Sequence, residues 1–222
     1  IYTWYKPSFD EKLGLSSPIV GRRLEDKHKN LWICTEGSGV NVYNRTTKTF
    51  KWYTPNSSAN SISQNNVKAI FYDKGEDLMW FGTHLGGLNK LDLKTDRFTH
   101  YRHDRSDNTS ILSDIVRDIE PYKNNLLLAT SDGICIFNTD TGKSKPLFAD
   151  NQRSTLVKGV FDLYVDHKKN LWISVFGEGV FRYDFDTEKL INYRHDPNVP
   201  GSLSNNNVNS ITQDSNNNLY FC

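Results

Sequence analysis

The chain has 222 residues, with 27 Lys and Arg against 26 Asp and Glu, a formal net charge of +1 and 13% aromatic residues. That balance gives no basic footprint for nucleic acid, and no apolar run approaches the roughly 20 residues needed to cross a bilayer. Cys34, Cys135 and Cys222 form no CxxC pair and lack a neighbouring His at metal spacing, so no metal site, redox motif or cofactor is indicated.

In chain order, a lone outer strand is expected at 3–6, followed by a unit that recurs. The unit covers 19–53, 67–101, 115–148 and 160–193, with a partial copy at 208–222. First strands begin at Ile19, Val67, Ile115, Val160 and Val208, which are 45–48 residues apart. Second strands centre on Trp32, Trp80, Leu127, Trp172 and Tyr220, and a glycine opens the third strand at Gly39, Gly87, Gly133 and Gly179. Fourth strands end near Tyr5, Tyr53, Tyr101, Phe148 and Tyr193. Turns rich in Asn, Lys and Gly separate short apolar runs, and no segment of ten residues keeps a 3.6 period.

Four markers in one phase, with four antiparallel strands per period, give an all-β fold, a β-propeller of four-stranded antiparallel blades. A sandwich has no reason to keep such a period. Each blade has two apolar faces that only a neighbouring blade can bury, and the first strands, as in VFDLYVD, read as buried on both sides. The leading outer strand and the two trailing strands leave a fifth blade without its third strand. The expectation is therefore a single incomplete propeller over 1–222.

The units VKAIFYDKGEDLMWFGTHLGGLNKLD (67–92), IVGRRLEDKHKNLWICTEGSGVNVYN (19–44) and VFDLYVDHKKNLWISVFGEGVFRYD (160–184) resemble the two-component regulator propeller repeat. The connectors 53–67, 101–116 and 193–208 are similar to those in sensor regions of hybrid two-component systems of Bacteroides type. The resemblance implies a periplasmic sensor segment that detects oligosaccharides from polysaccharide breakdown and controls genes for their use. It also implies a homodimeric receptor whose histidine kinase and membrane span lie outside these residues. The departures are LLLAT at 126–130, and Cys34 and Ser174 where the repeat has glycine.

Candidate site residues follow from a contrast between units. His103 and His195 both occur in Tyr-Arg-His-Asp, so they recur with the fold and read as loop residues rather than a catalytic pair. His84 is matched by Glu36, Ser131 and Phe176, so the scaffold does not ask for histidine there. Antiparallel order puts the long connectors and the second turn of each unit on one rim, where residues that vary are free to bind ligand. Glu36, His84, Asp132, Phe176 and Glu178 form that set. Charges inside first strands, Arg22, Lys68, Arg117 and Asp162, form another, since a buried charge is costly unless paired. Solvated wall residues are the plainer reading of any one of them. No catalytic motif is present, so no enzyme activity is assigned to this segment. The rival readings are a streptogramin-lyase-like or polysaccharide-acting propeller enzyme, built on His84 with Glu36 or Glu178, and a protein-interaction scaffold.

Overall fold

A computed structural model describes residues 4–149 and 151–222. They divide into two compact units, Ile1–His103 with Asp114–Val116, and Asp104–Ser113 with Arg117–Cys222. In the first unit, β1 (Val20–Glu25), β2 (Leu31–Thr35), β3 (Val40–Asn44) and β4 (Thr49–Tyr53) form one antiparallel sheet in chain order. A second sheet contains β5 (Val67–Asp73), β6 (Leu78–Thr83), β7 (Leu88–Asp92) and β8 (Arg97–Tyr101). The second unit holds β9 (Val116–Tyr122), whose first residue belongs with the first unit, then β10 (Asn125–Thr130), β11 (Gly133–Asn138) and β12 (Ser144–Pro146). A short helix, α1 (Asn151–Leu156), precedes β13 (Val160–Val165), β14 (Asn170–Val175), β15 (Gly179–Asp184) and β16 (Leu190–Tyr193). A two-stranded sheet of β17 (Ile211–Gln213) and β18 (Leu219–Phe221) follows. The architecture is all-β, built from propeller blades.

One carboxylate ties the first hairpin of several blades. Asp26 accepts hydrogen bonds from the His28 and Asn30 backbone N–H groups, Asn30 Nδ2 and Trp32 Nε1, all at 2.8–2.9 Å. Asp166 does the same with Lys168, Asn170 and Trp172, and Asp214 with Asn216, Asn218 and the Tyr220 hydroxyl. The third turn residue, Lys29, Lys169 or Asn217, takes φ of 65–68°. That conformation is unfavourable for a side-chain-bearing residue, and the carboxylate's bonds to the flanking amides hold it.

The second hairpin has its own lock. Thr35, Thr83 and Thr130 donate through Oγ1 to the carbonyls of Gly39, Gly87 and Gly133 at 2.7–2.9 Å. Gly87 has φ of 71°, and a Cβ there would lie 2.3 Å from the Tyr101 carbonyl oxygen. Glycine is therefore required on both counts. Blades are closed outward by ring pairs, Trp32 on Tyr53 at 5.7 Å, Trp80 on Tyr101 at 6.0 Å and Trp172 on Tyr193 at 5.6 Å.

Cores form where blades meet within each unit. In the first, Trp32, Cys34, Val40 and Val42 pack against Val67, Met79, Phe81 and Leu91. In the second, Leu127, Ala129 and Ile134 pack with Val160, Ile173, Val175 and Phe181. Buried Asn41 and Asn89 seat the connectors by accepting from the Ser16 and Ser63 N–H groups at 2.7 and 2.8 Å.

Several expectations are corrected. First strands are not the most buried: β1 is largely exposed, whereas β2, β6 and β10 are buried nearly throughout. A first strand has one neighbour in its sheet and a second strand has two, so the second is shielded on both edges. No strand occupies 4–6, and Thr3 lies outside the described residues; Pro7 makes an isolated parallel bridge to Leu15, and Tyr5 packs on Tyr43 and Phe50. The fourth strand of the third blade stops at Pro146, and Phe148 turns edge-on to Tyr183 at 5.0 Å. At six residues, α1 is too short to show a helical period, and Arg153 fixes it by donating to the Glu188 carbonyl at 3.2 Å.

The Asp166 knot has a pH signature. Desolvation raises its pKa, but hydrogen bonds from Trp172, Asn170 and Lys168 outweigh this and hold it below the usual carboxylate value. With the folded pKa depressed, the unfolded chain binds more protons, so this stabilisation is complete above the unfolded pKa of about 3.9 and fades as pH falls through the folded value. Asp166→Asn should lower the urea midpoint at pH 6, and the gap to the parent protein should narrow progressively as the titration is repeated toward pH 3.

Candidate functional site

In the second unit, rim-facing backbone bonds bring three variable segments together. Gly159 N–H donates to the Ser131 carbonyl at 3.2 Å, and Phe176 N–H donates to the Gly159 carbonyl at 3.4 Å. The turn carrying Asp132 and the turn carrying Phe176 and Glu178 are thus joined through the end of the connector before β13. Ser113 and Ser131 hydroxyls meet at 2.8 Å, and Ser131 also reaches Asp132 at 3.3 Å.

Phe176 is 65% exposed although it is a large apolar ring. It rests on Phe161, with centroids 5.7 Å apart and planes at 33°. The Arg117 guanidinium carbon lies 4.9 Å from the Phe161 centroid, a cation–aromatic distance. Arg117 Nε is buried without a hydrogen-bond partner among the described residues. The stack is a cation, a half-buried ring and an open ring, with Arg117 and Phe161 taken from neighbouring first strands.

A backbone irregularity creates this arrangement. The β13–β14 register shifts between Val160 and Asp162, leaving Phe161 at a bulge. In the first unit the β5–β6 register shifts between Val67 and Ala69, leaving Lys68 at the same place. A bulge removes a residue from the ladder and re-aims its side chain. Lys68 Nζ consequently reaches Glu36 Oε1 at 2.6 Å, joining two candidates from adjacent blades.

The remaining candidates are distributed differently. Glu178 is paired with Arg194. His84 is half-buried on the second turn of its blade, with its backbone N–H on the Asn66 carbonyl at 2.9 Å. Arg22 is half-buried in β1. Asp162 is corrected: it is 1% exposed, and its Oδ2 accepts from the Ile211 N–H at 2.6 Å. Asp118, the matching residue of the preceding blade, likewise accepts from the Leu163 N–H at 2.7 Å. These buried carboxylates tie β9 to β13 and β13 to β17. They belong to the framework.

Phe161 and Arg194 were missed by sequence reasoning. Phe161 was findable, because its place in the other units is filled by Gly21, Lys68, Arg117 and Asn209, and only charged residues of first strands were considered. Arg194 recurs as Arg102, so its repetition hid it. The Tyr-Arg-His-Asp segments do hold their connectors: His103 and His195 N–H groups donate to Asp114 and Asn206 at 2.8 Å. Burial pushes the Cys34 thiol up to about 12 and the Cys135 thiol to about 11, so neither is a reactive thiolate at neutral pH.

Comparison with known proteins gives the repeat a family context. Residues 202–222 match the family model described as two component regulator propeller. Over 184 residues the chain is 28% identical to histidine kinase P4 of Formosa agariphila, a match that covers 80% of this chain and 13% of that protein. The extracellular domain assigned to a hybrid two component system of B. thetaiotaomicron superposes with a TM-score of 0.73 at 20% identity. That match covers 98% of this chain and 34% of the other. Virginiamycin B lyase of Staphylococcus aureus superposes at 0.64 with 14% identity, covering 91% of this chain and 62% of the lyase. At these identities the solved structures establish the blade fold alone.

Exposure separates site from scaffold in a measurable way. Phe176→Ala should change unfolding free energy by no more than about 0.5 kcal/mol, as for an ordinary surface substitution. Trp172→Ala, which removes a ring packed at a tilt between Tyr193 and Phe221 and bonded to Asp166, should cost about 3–5 kcal/mol. Equilibrium denaturation in urea checks both.

Proposed function

We propose that this chain of two-component regulator propeller repeats is a ligand-binding sensor segment from a hybrid two-component system histidine kinase. The kinase relative and the propeller-repeat match support that reading. On it, the segment lies in the periplasm, the complete receptor is a homodimer, and phosphoryl transfer takes place elsewhere in the polypeptide. Among the described residues no helix is long and apolar enough to cross a membrane.

The ligand we assign is an oligosaccharide released from a polysaccharide. The observation that carries this is the Arg117–Phe161–Phe176 stack. An exposed aromatic face offers an apolar platform to a sugar ring, while a guanidinium and nearby carboxylates and hydroxyls offer directional polar contacts. Asp132, Ser131 and Glu178 supply these on the same rim. The lyase-like reading has less support, because Glu36 is held by Lys68 and Glu178 by Arg194, which leaves His84 without either expected acid partner.

Calorimetric titration of the protein against a panel of neutral and acidic oligosaccharides tests the assignment. At least one should bind saturably, and Phe176→Ala should weaken it tenfold or more without lowering the melting temperature. Arg117→Gln should weaken it as well. Silence toward every glycan, together with saturable binding of a peptide or a metal ion, would overturn the proposal.

A further inference from the structure

The third blade departs from its neighbours on the face where they stack rings. Leu127 stands where the other blades carry Trp32, Trp80 and Trp172. Opposite it, the strand that should bring a tyrosine ends early, and Leu147, whose N–H bonds the Ile134 carbonyl at 2.8 Å, takes the place of Tyr53, Tyr101 and Tyr193. Phe148 has turned away onto Tyr183. Leu127 and Leu147 both pack into the core shared with the following blade, and a hollow of about 490 Å³ lies beside β11 and β12.

Its lining is cationic and amide-bearing. Lys123, Lys143 and Lys145 border it, together with Tyr122, Asn125 and Asn138. Lys145 pairs across from Ile136 in the β11–β12 ladder, and Asn138 pairs across from Asn125 with their side-chain amides joined at 3.2 Å. Tyr122 is held rigid by stacking on Phe185 at 4.3 Å and 19°, and Lys123 Nζ lies 5.0 Å from its centroid. Among the described residues no carboxylate lies within ion-pair distance of these three lysines, although Lys143 acts through space on Asp107.

We infer that this hollow is a binding site for a small polyanion, its charged groups phosphate, sulfate or carboxylate. Three cations around one concavity raise the local concentration of anions, and lysine acts on such groups as a mobile point charge with three donors. Tyr122 supplies a fixed wall. The residues involved lie apart from the Phe176 stack, so the two sites can fail independently.

Titration calorimetry with inorganic pyrophosphate, citrate and a disulfated disaccharide, each against potassium chloride at matched ionic strength, tests this and identifies the preferred anion. At least one probe should bind saturably, and Lys123→Gln with Lys145→Gln should weaken it tenfold or more. Lys94→Gln, an exposed control in the first unit, should leave it unchanged. Heats no larger than those of chloride, or equal weakening by Lys94→Gln, would overturn the inference.

Discussion

The carboxylate knotted into the first hairpin is the interaction on which each regular blade depends. Asp26 or Asp166 must accept two backbone N–H groups, an amide and an indole N–H from a tryptophan six residues ahead. Those bonds fix the turn and the tryptophan ring together. Because the ring is fixed, it can stack on the fourth-strand tyrosine and present a flat apolar face to the adjacent blade. A blade cannot bury its two apolar faces alone, so an interaction that orients one face also bears on how the next blade can pack. Hairpin geometry, ring position and inter-blade burial are consequences of one anion in a turn.

The second blade reaches the same end by another route. Its hairpin has one more residue between Asp73 and Trp80, so Asp73 caps only Gly75 and Glu76. The role passes to Asp77, which accepts from the Tyr72 hydroxyl at 2.7 Å and meets Lys27 of the preceding blade at 3.0 Å. Desolvation raises the Asp77 pKa, but those partners outweigh it and keep the carboxyl below its ordinary value. Trp80 nevertheless pairs across from Phe71 in the register that sets Trp32 against Leu24. The ring position is conserved between blades although the turn that delivers it is not.

The repeating framework was legible in the sequence because burial imposes a period: the marker residues sit in phase, and four-stranded sheets form around them. What governs the candidate site was not. Phe161 and Lys68 act through bulges, which are one-residue slips in pairing that leave no compositional trace in a strand of ordinary β residues. Glu36 and Lys68 were both identifiable as variable positions, but their union across 32 residues of sequence depends on how two blades face each other. Asp162 misled because an aspartate inside an apolar strand reads as a lining charge. Its Oδ2 accepts from the Ile211 N–H of the next blade, from a position bordering the bulge that frees Phe161. A framework bond and a site residue thus lie side by side at one backbone slip.

That coupling explains where function can be placed on such a scaffold. Residues that complete the hairpin knots, the Thr–Gly turns or the carboxylate ties cannot vary without cost, since each leaves a buried polar group unsatisfied when replaced. Bulge positions and second-turn tips carry no such duty, and they are where Lys68, Phe161 and Phe176 occur. The third blade adds another possibility. It gives up the ring pair itself, and its stability then rests on the aliphatic core around Leu127 and Ile134 that it shares with the following blade. Leu127 and Leu147 stand at the ring positions and belong to that core, so the face that gives up its rings is the face that packs. The hollow beside β11 and β12 is bordered by three lysines.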